Sequence, residues 1–428
     1  MRVLVALCAA SLLFSFARAR AAAPATAVTN PNLRQAWENY HKALDEIRAQ
    51  MEATPRYAKY PEDRAKAYHT LMEVQAMAYN FVVAPRMTHP RIYKNLSWQT
   101  NIYTLGQNGP DWDYRNLFVD GKQTYRLTGR TNGSKLSLIQ VFNGVFGDPE
   151  VKTVGNYNLA DMRVEKDGSF EIILGGPKRA DNWIPLDANI DYQYVFFRFA
   201  MADWNDEPAD VSVERISSIE PGHYAVDEFD EAAIAKRIRR AENFIRYVTR
   251  VFNIALLDAY TAGTNGPNKL SHRPGTTDGE VGSPSSDYAL GTYDLADDEA
   301  LVLTMPKAPD GVYWSFQLGD VWSRSLDFGE RHSSLNMAQA KLDTDGALRI
   351  VVALRDPGVA NWLDPVGRHQ GTIVFRNYVA KTPVVPTTQL VKLADLPRIL
   401  PKGTAMVSPA EREAALARRR SGIAKSFE

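Results

Sequence analysis

The sequence predicts a mainly β protein with flanking helices (α+β), in which two β-sandwich or jelly-roll-like modules follow one another along the chain. Short apolar runs that alternate with polar residues, separated by Gly, Asn and Asp, occupy residues 98–220 and again residues 288–396. This pattern is typical of antiparallel sandwiches. Apolar residues at helical spacing precede the first β region and lie between the two. The two β regions also repeat each other, which indicates one architecture used twice.

The repeat is clearest in the runs DGSFEIIL and DGALRIVVAL, each of which opens with an Asp-Gly turn. Each run continues through a loop with Pro and Asn-Trp to a second apolar run that ends on Arg. Thirty residues separate Gly168 from Arg198, and thirty separate Gly346 from Arg376. We therefore expect the strands to keep one register in both copies, although the Asn-Trp position slips by one residue.

Residues 1–23 have the form of a secretory signal peptide. Arg2 precedes a short apolar run, and small Ala-x-Ala sequences follow it. We therefore expect an exported protein, periplasmic or secreted, and the apolar run is too short to span a membrane. The single cysteine, Cys8, lies inside this segment. Residues 24–428 consequently contain no thiol, disulfide or cysteine nucleophile.

The charge balance argues against nucleic acid as the main partner. The chain has 50 basic and 50 acidic residues, and residues 1–23 carry three Arg and no acidic residue. The remaining chain is therefore slightly acidic, whereas nucleic acids and anionic membranes are bound through clustered positive charge. We expect no membrane span in it.

Two helices are predicted in residues 24–97. The first ends at Thr54-Pro55, and Pro61 suits the first turn of the second. The apolar stripe of the first helix comprises Leu33, Trp37, Tyr40, Leu44, Ile47 and Met51. The shared face of the second comprises Tyr68, Met72, Gln75, Tyr79 and Val82.

A long helix over residues 227–262 and a Gly/Pro-rich loop over 263–287 form the predicted segment 221–287. Asp227 is positioned to cap the helix and Gly263 to end it. The loop is expected to be a strap between the modules or a lid over a pocket. In the tail, residues 397–428, Ser408 and Glu411 have the spacing of a capping box that opens a short helix. The run 418–420, three Arg, is expected on a solvated helix face.

The second copy carries four short motifs, Tyr313-Trp314, Asp345-Gly346, Asn361-Trp362-Leu363 and Arg376-x-Tyr378. In these motifs it resembles the family called domain of unknown function 1214. The resemblance covers residues 288–427 well and residues 114–216 more loosely. Asp364 stands where the family commonly has Pro, whereas the first copy keeps Pro185. The resemblance implies a jelly-roll-like β fold in an exported or envelope setting, and it brings no assignment of catalytic residues.

Reactive side chains are densest between Trp314 and Asn336. If Asp320 and His332 converge, a carboxylate–imidazole pair would serve as a general base, and Arg376 would complete a hydrolase or lyase site. The alternative is that this stretch holds only exposed ion pairs of small energetic consequence.

The repeated Asn-Trp pairs, Asn182-Trp183 and Asn361-Trp362, are candidate ligand-binding residues. Trp stacks on sugars and flat apolar groups, and Asn offers both a donor and an acceptor. The alternative is structural: Trp closes the end of the sandwich while Asn bonds the turn backbone. The hypothetical ligand cleft of the second module comprises Trp314, Trp322, Trp362 and Tyr378.

Arg198 and Arg376 end an apolar strand in both copies. Each is suited either to binding a carboxylate or phosphate as a fork, or to tying segments together through backbone carbonyls. The histidines are not spaced as metal ligands and Cys is absent from residues 24–428, so we expect no metal site. The sequence has no phosphate-binding loop and no dinucleotide fingerprint, so we expect no cofactor.

Three functions fit these observations. The first is binding of a small apolar or sugar-like molecule in the aromatic cleft, and the second is a hydrolase or lyase. The third is an oligomeric envelope scaffold, a homo-oligomer that requires an exposed apolar seam along residues 234–259. Fold class alone does not choose among them.

Overall fold

The computed structural model describes residues 31–87, 89–94, 106–218, 228–275 and 283–427. The predicted signal peptide and the predicted helix cap Asp227 lie outside these residues. The architecture is mostly β, with two β modules, N-terminal helices and a long central helix. The predicted fold class is confirmed.

The N-terminal helices are α1 (Pro31–Glu52), α2 (Pro55–Lys59) and α3 (Arg64–Ala78), and α3 continues as a π-helical turn, Tyr79–Val83. The predicted face of α3 is wrong, because Met72 and Tyr79 are 66% and 58% exposed. The buried face of α3 comprises Ala67, Leu71, Val74 and Ala78. Trp37 of α1 is likewise exposed, and the buried positions of that helix are Ala36, Ala43, Ile47 and Met51.

In the described residues the first module has nine strands in two sheets. The five-stranded sheet has the order β1-β2-β8-β4-β5 and the four-stranded sheet the order β7-β6-β3-β9. The strands are β1 (Tyr93–Lys94), β2 (Trp112–Val119), β3 (Tyr125–Arg130), β4 (Leu136–Phe142), β5 (Thr153–Asn158), β6 (Ser169–Leu174), β7 (Trp183–Ile184), β8 (Gln193–Ala200) and β9 (Asp210–Arg215).

The second module repeats this topology strand for strand. Its sheets have the orders β10-β11-β17-β13-β14 and β16-β15-β12-β18. The strands are β10 (Lys269–Arg273), β11 (Ser286–Asp294), β12 (Glu299–Met305), β13 (Tyr313–Gly319), β14 (Ser334–Asn336), β15 (Leu348–Ala353), β16 (Trp362–Leu363), β17 (Gln370–Tyr378) and β18 (Thr387–Lys392). The predicted duplication therefore extends over all nine strands that the structure describes in each sandwich.

The register repeats as well. Arg198 lies opposite Tyr114 on β2, and Arg376 lies opposite Tyr288 on β11. In each module the two sheets enclose a separate apolar core, as expected for a sandwich. A third cluster joins α1, α3 and the central helix to the outer face of the first five-stranded sheet.

The central helix consists of α4 (Glu231–Val248), a π-helical segment (Thr249–Ala255) and α5 (Leu256–Thr264). Asp230 caps it by accepting a hydrogen bond from the Ala233 N–H at 2.7 Å. It ends at Thr264 rather than Gly263, with Asn265 in the left-handed conformation. The π-helical segment frees backbone carbonyls, and Arg56 donates to those of Asn253 and Ile254.

The apolar stripe of α4 is covered within the chain. Its buried positions, which include Phe244 and Ile245, pack in the cluster that contains α1 and the first five-stranded sheet. The exposed seam that the oligomer hypothesis requires is therefore not present on α4.

The Gly/Pro-rich segment 263–287 contains an element that the sequence did not predict. Residues Lys269–Arg273 form the edge strand β10, paired antiparallel with β11. The remaining tail forms α6 (Leu396–Ile399) and α7 (Pro409–Phe427).

Candidate functional site

A cavity of about 440 Å³ lies under the C-terminal helix α7, where the two modules meet. The loop that follows β8 contributes one wall, and the segment around β14 contributes another. The polar residues that line it are Asp203, Trp204, Asn205, His332, Gln339, Lys341, Glu411, Arg412, Arg418 and Arg419. Its apolar residues are Ala202, Leu335, Ala338, Ala360, Val407 and Ala415.

The first turn of α7 is fixed by the predicted capping box. Glu411 accepts hydrogen bonds from the Ser408 N–H at 2.7 Å and from its hydroxyl at 2.8 Å. Arg412 donates to both carboxylate oxygens of Asp356, at 2.9 and 3.0 Å, and lies 5.2 Å above the Trp362 ring. The helix is thereby anchored to the second module.

Arg419 anchors the middle of α7. It is buried, against the expectation of a solvated Arg run, and donates to the backbone oxygens of Phe328 and Ser334, both at 3.1 Å. Its guanidinium lies 4.6 Å from the Trp204 ring of the first module. Burial lowers the pKa of Arg419 to about 10, so it remains charged at neutral pH.

His332 lies in the cavity wall and is 7% exposed. Neither ring nitrogen has a hydrogen-bond partner among the described residues. Burial, together with the positive charges of Arg419 and Arg412, lowers the pKa of His332 to about 3. The ring is therefore neutral at physiological pH and presents one donor and one acceptor.

Positive charge dominates the cavity rim. Lys341 and Arg418 line the cavity, and within the described ranges neither makes an ion pair. The two carboxylates of the lining are occupied locally, since Glu411 caps α7 and Asp203 accepts from the backbone and side-chain nitrogens of Asn205, both at 3.0 Å. The rim consequently favours an anion.

A buried carboxylate positions the Trp204 wall. Asp111 accepts hydrogen bonds from Trp204 Nε1 at 2.6 Å, the Tyr313 hydroxyl at 2.5 Å and Asn336 Nδ2 at 2.7 Å. Burial raises the pKa of Asp111. Because Tyr313 and Asn336 belong to the second module, this group joins the two modules behind the cavity.

The three predicted catalytic side chains have different partners. Asp320 accepts from the backbone N–H groups of Trp322 and Arg324, at 2.9 and 3.0 Å, and burial raises its pKa to about 6. Arg376 donates to Gln317 Oε1 at 2.6 Å and to the backbone oxygen of Gln107. Among the described residues no hydrogen bond or ion pair joins Asp320, His332 and Arg376, so the predicted general-base pair is not assembled.

The four aromatic residues of the predicted cleft lie in three separate clusters. Trp314 is in the core of the second sandwich, and Trp362 is on the outer face of its four-stranded sheet. Trp322 and Tyr378 are in the third cluster, the one that joins α1, α3 and the central helix to the first five-stranded sheet. They therefore do not line one cleft.

The hydrogen bonds of the repeated Asn-Trp pairs agree with the structural alternative, in which Asn bonds the backbone of the turn. Asn182 accepts from the Arg163 N–H and donates to the carbonyls of Arg163 and Glu171, at 2.8–2.9 Å. Asn361 makes the same three bonds to Lys341 and Arg349, at 2.6–2.9 Å. Each tryptophan Nε1 donates to a backbone carbonyl, Trp183 to Gly175 and Trp362 to Ala353.

Arg198, the last predicted ligand-binding residue, is 9% exposed and lies 4.4 Å above the Phe196 ring. The described residues contain no cluster of three or more His, Cys, Asp or Glu that is arranged to hold a metal ion. In the same ranges no helix has the length and apolar character needed to cross a membrane.

Two family models match the chain. Residues 111–202 match "Protein of unknown function (DUF1214)" and residues 264–353 match "Protein of unknown function (DUF1254)". The chain contains two tandem domains of unknown function. The predicted resemblance to the DUF1214 family is confirmed, and the match to that model falls on the first module, whereas the sequence motifs placed the resemblance mainly on the second.

A crystal structure of an uncharacterized protein from Burkholderia cenocepacia is similar to this chain. The two are 27% identical with a TM-score of 0.73, over 85% of this chain and 98% of that chain. The VPA0106 protein from Vibrio parahaemolyticus aligns over 84% of this chain and 100% of its own, at 11% identity and with a TM-score of 0.44. No curated protein matches.

Sequence analysis identified His332 but missed the rest of the cavity. Trp204, Lys341 and Arg418 come from three distant stretches of the chain, and no fixed spacing links them. One feature of the sequence did point toward this region. The capping box at Ser408 predicted a helix, and a helix in this tail needs a surface to pack against.

Proposed function

We propose that this protein binds a small organic anion with an apolar body in the cavity under α7. The observation that supports this is His332, a buried imidazole without a hydrogen-bond partner in the wall of a cavity rimmed by Lys341 and Arg418. A buried polar group without a partner is costly, and a ligand that bonds the ring would remove that cost.

The charges favour an acid over a sugar. Lys341 and Arg418 favour a carboxylate at the rim, and the neutral ring of His332 suits a hydroxyl or carbonyl group deeper in the cavity. Trp204, Leu335 and Val407 offer apolar surface to the body of the ligand. This site replaces the aromatic cleft as the place for the predicted small-molecule binding.

Binding without turnover fits the site better than hydrolysis. No carboxylate within the described part of the chain bonds His332 to orient it as a base. We also propose that the protein is exported, and the support for this is the N-terminal sequence pattern alone.

Thermal denaturation with matched ligand pairs tests the proposal. We expect benzoate or hexanoate to raise the melting temperature more than benzamide or hexanamide, because a ligand that binds only the folded state stabilises it. His332→Leu and Lys341→Met should each remove the acid-specific increase. The controls are His272→Leu and Lys381→Met, which lie outside the cavity. Equal shifts by acids and amides, or unchanged shifts in the cavity variants, would contradict the proposal.

A further inference from the structure

We infer a second binding site, for an oxyanion, between the two modules at the duplicated arginines Arg198 and Arg376. The inference is independent of the cavity under α7, because neither arginine lines that cavity. The site would hold a carboxylate or a phosphate group as a bridge between the modules.

The two arginines lie at equivalent positions of the two modules, on the strand faces whose residues Phe196, Ala200 and Tyr378 pack in one cluster. Arg198 and Arg376 occupy the same register position in the two five-stranded sheets, opposite Tyr114 and Tyr288. These sheets meet where Trp112 of the first module packs on Tyr378 of the second, with ring centroids 4.6 Å apart.

The tyrosines of this junction lie within reach of both guanidinium charges. Burial raises the pKa of Tyr114 to about 12, and the charges of Arg376 and Arg198 each oppose that rise. The same two charges act on Tyr378. A row of rings connects the two positions. Arg198 lies over Phe196, Phe196 stacks on Tyr114 at 5.3 Å, and Trp112 contacts both Tyr114 and Tyr378.

Neither arginine is neutralised. Arg198 is 9% exposed, and its Nη1 has no hydrogen-bond partner among the described residues. Arg376 is also buried, and its hydrogen bonds to described residues go to neutral oxygens, those of Gln317 and Gln107. No ion pair joins a carboxylate from the described ranges to either guanidinium. Two buried charges without a counter-charge carry a large desolvation cost.

Other buried arginines in this chain show the usual solution. Arg115, which is also 9% exposed, lies 2.9 Å from Asp113. Arg412 pairs with Asp356, and Arg56 with Asp258. Arg419 lacks a carboxylate partner, but it donates to oxygens of Phe328 and Ser334. Arg198 differs from these arginines because it has no ion pair and its Nη1 has no hydrogen bond among the described residues. An oxyanion bound through the guanidinium fork would supply both.

The two tyrosines opposite these arginines differ in exposure. Tyr114 is buried, whereas Tyr288, which lies beside Arg376 in the sheet, is only partly buried.

The experiment is thermal denaturation of the full chain at constant ionic strength, with chloride replaced stepwise by inorganic phosphate or by acetate. We expect one of the two to raise the melting temperature saturably. In Arg198→Met the apparent affinity for that anion should fall roughly tenfold or more, the order expected when one charge-assisted bidentate contact is lost. Arg115→Met is the matched control, equally buried but already paired, and should keep the response.

The two anions distinguish the ligand classes. A response to phosphate alone assigns a phosphate-type ligand, and a response to acetate alone assigns a carboxylate. Non-specific salt effects raise the melting temperature of every variant alike. An equal response in the wild type and Arg198→Met, or no response to either anion, overturns the inference. If Arg198→Met does not fold, Arg198→Lys keeps the charge without the fork and undergoes the same comparison.

Discussion

Arg412 of the C-terminal helix lies 5.2 Å above Trp362 and donates two hydrogen bonds to Asp356. One side chain thus connects α7 to the Asn-Trp turn of the second module and closes one end of the candidate cavity.

Arg412→Ala should destabilise the protein by about 2–4 kcal/mol, since it breaks a largely buried ion pair and removes packing from Trp362. Urea denaturation measures the change. The control is Arg398→Ala, whose pair with Asp395 is largely exposed and whose loss should cost below about 1 kcal/mol. Equal effects of the two substitutions would show that α7 is not held through Arg412.

Asp111→Ala should cost about 3 kcal/mol or more, because it leaves the buried donors of Trp204, Tyr313 and Asn336 without an acceptor. Asp111→Asn should cost less, as it keeps an acceptor oxygen. Because Trp204 lines the cavity, tryptophan fluorescence should change in Asp111→Ala along with the unfolding midpoint. An unchanged spectrum in a folded variant would contradict a role in positioning Trp204.

Asp320 should make the stability of the protein depend on pH between about 4 and 6. Burial raises the pKa of its carboxyl from 3.8 to about 6 in the folded state, so the folded protein binds the proton more tightly than the unfolded chain. The resulting contribution is fully present below pH 4 and is lost as the pH rises through 6, a change of about 3 kcal/mol as an upper order of magnitude.

Urea denaturation of the wild type and Asp320→Asn from pH 4 to pH 7 measures this contribution. The unfolding free energy of the wild type should fall relative to that of the variant as the pH rises. Asp345→Asn is an internal contrast, because the hydrogen bond from Arg349 lowers the pKa of Asp345 to about 2. The contribution of Asp345 to the unfolding free energy is present above pH 4 and is lost toward pH 2. Parallel curves for the wild type and Asp320→Asn would show that Asp320 does not titrate in this range.

Asn182→Ala and Asn361→Ala should destabilise the protein, each by about 2–3 kcal/mol, because each removes three turn hydrogen bonds. The Asn361 change should be the larger, since Asn361 is buried and Asn182 only partly so. Asn182→Ala should not alter a ligand-induced melting shift, because Asn182 does not line the cavity under α7. Loss of that shift in Asn182→Ala at unchanged stability would restore the ligand-binding interpretation of the Asn-Trp pairs.

The strands and the duplication were predictable because side chains alternate along a strand, and that period is visible in one sequence. The same alternation separates two residues of the predicted aromatic cleft. Tyr378 on β17 lies opposite Tyr313 on β13, and Trp314, the next residue along β13, points to the other face of the sheet. The buried face of α3 was not predictable from its period, because apolar residues occupy both sides of that helix. Met72 stands on one side and Val74 on the other.

The candidate cavity was predictable only in part. His332 was identified from its residue type, but its isolation from Asp320 depends on tertiary placement. Arg419 was assigned to a solvated face because sequence shows the charge and not the carbonyls of Phe328 and Ser334 that receive it.

The two four-stranded sheets differ in what covers their outer faces. Strand β3 presents polar positions such as Thr128 to solvent, whereas Val302 of β12 is buried in a cluster with Leu396 of the tail. Once the ribosome has synthesised the chain as far as β9, every strand described in the first sandwich is present. The second sandwich still lacks its cover until the last residues emerge. The two copies share one topology but reach completion at different moments of synthesis, and a nascent chain arrested before residue 396 would expose the apolar face of the later one.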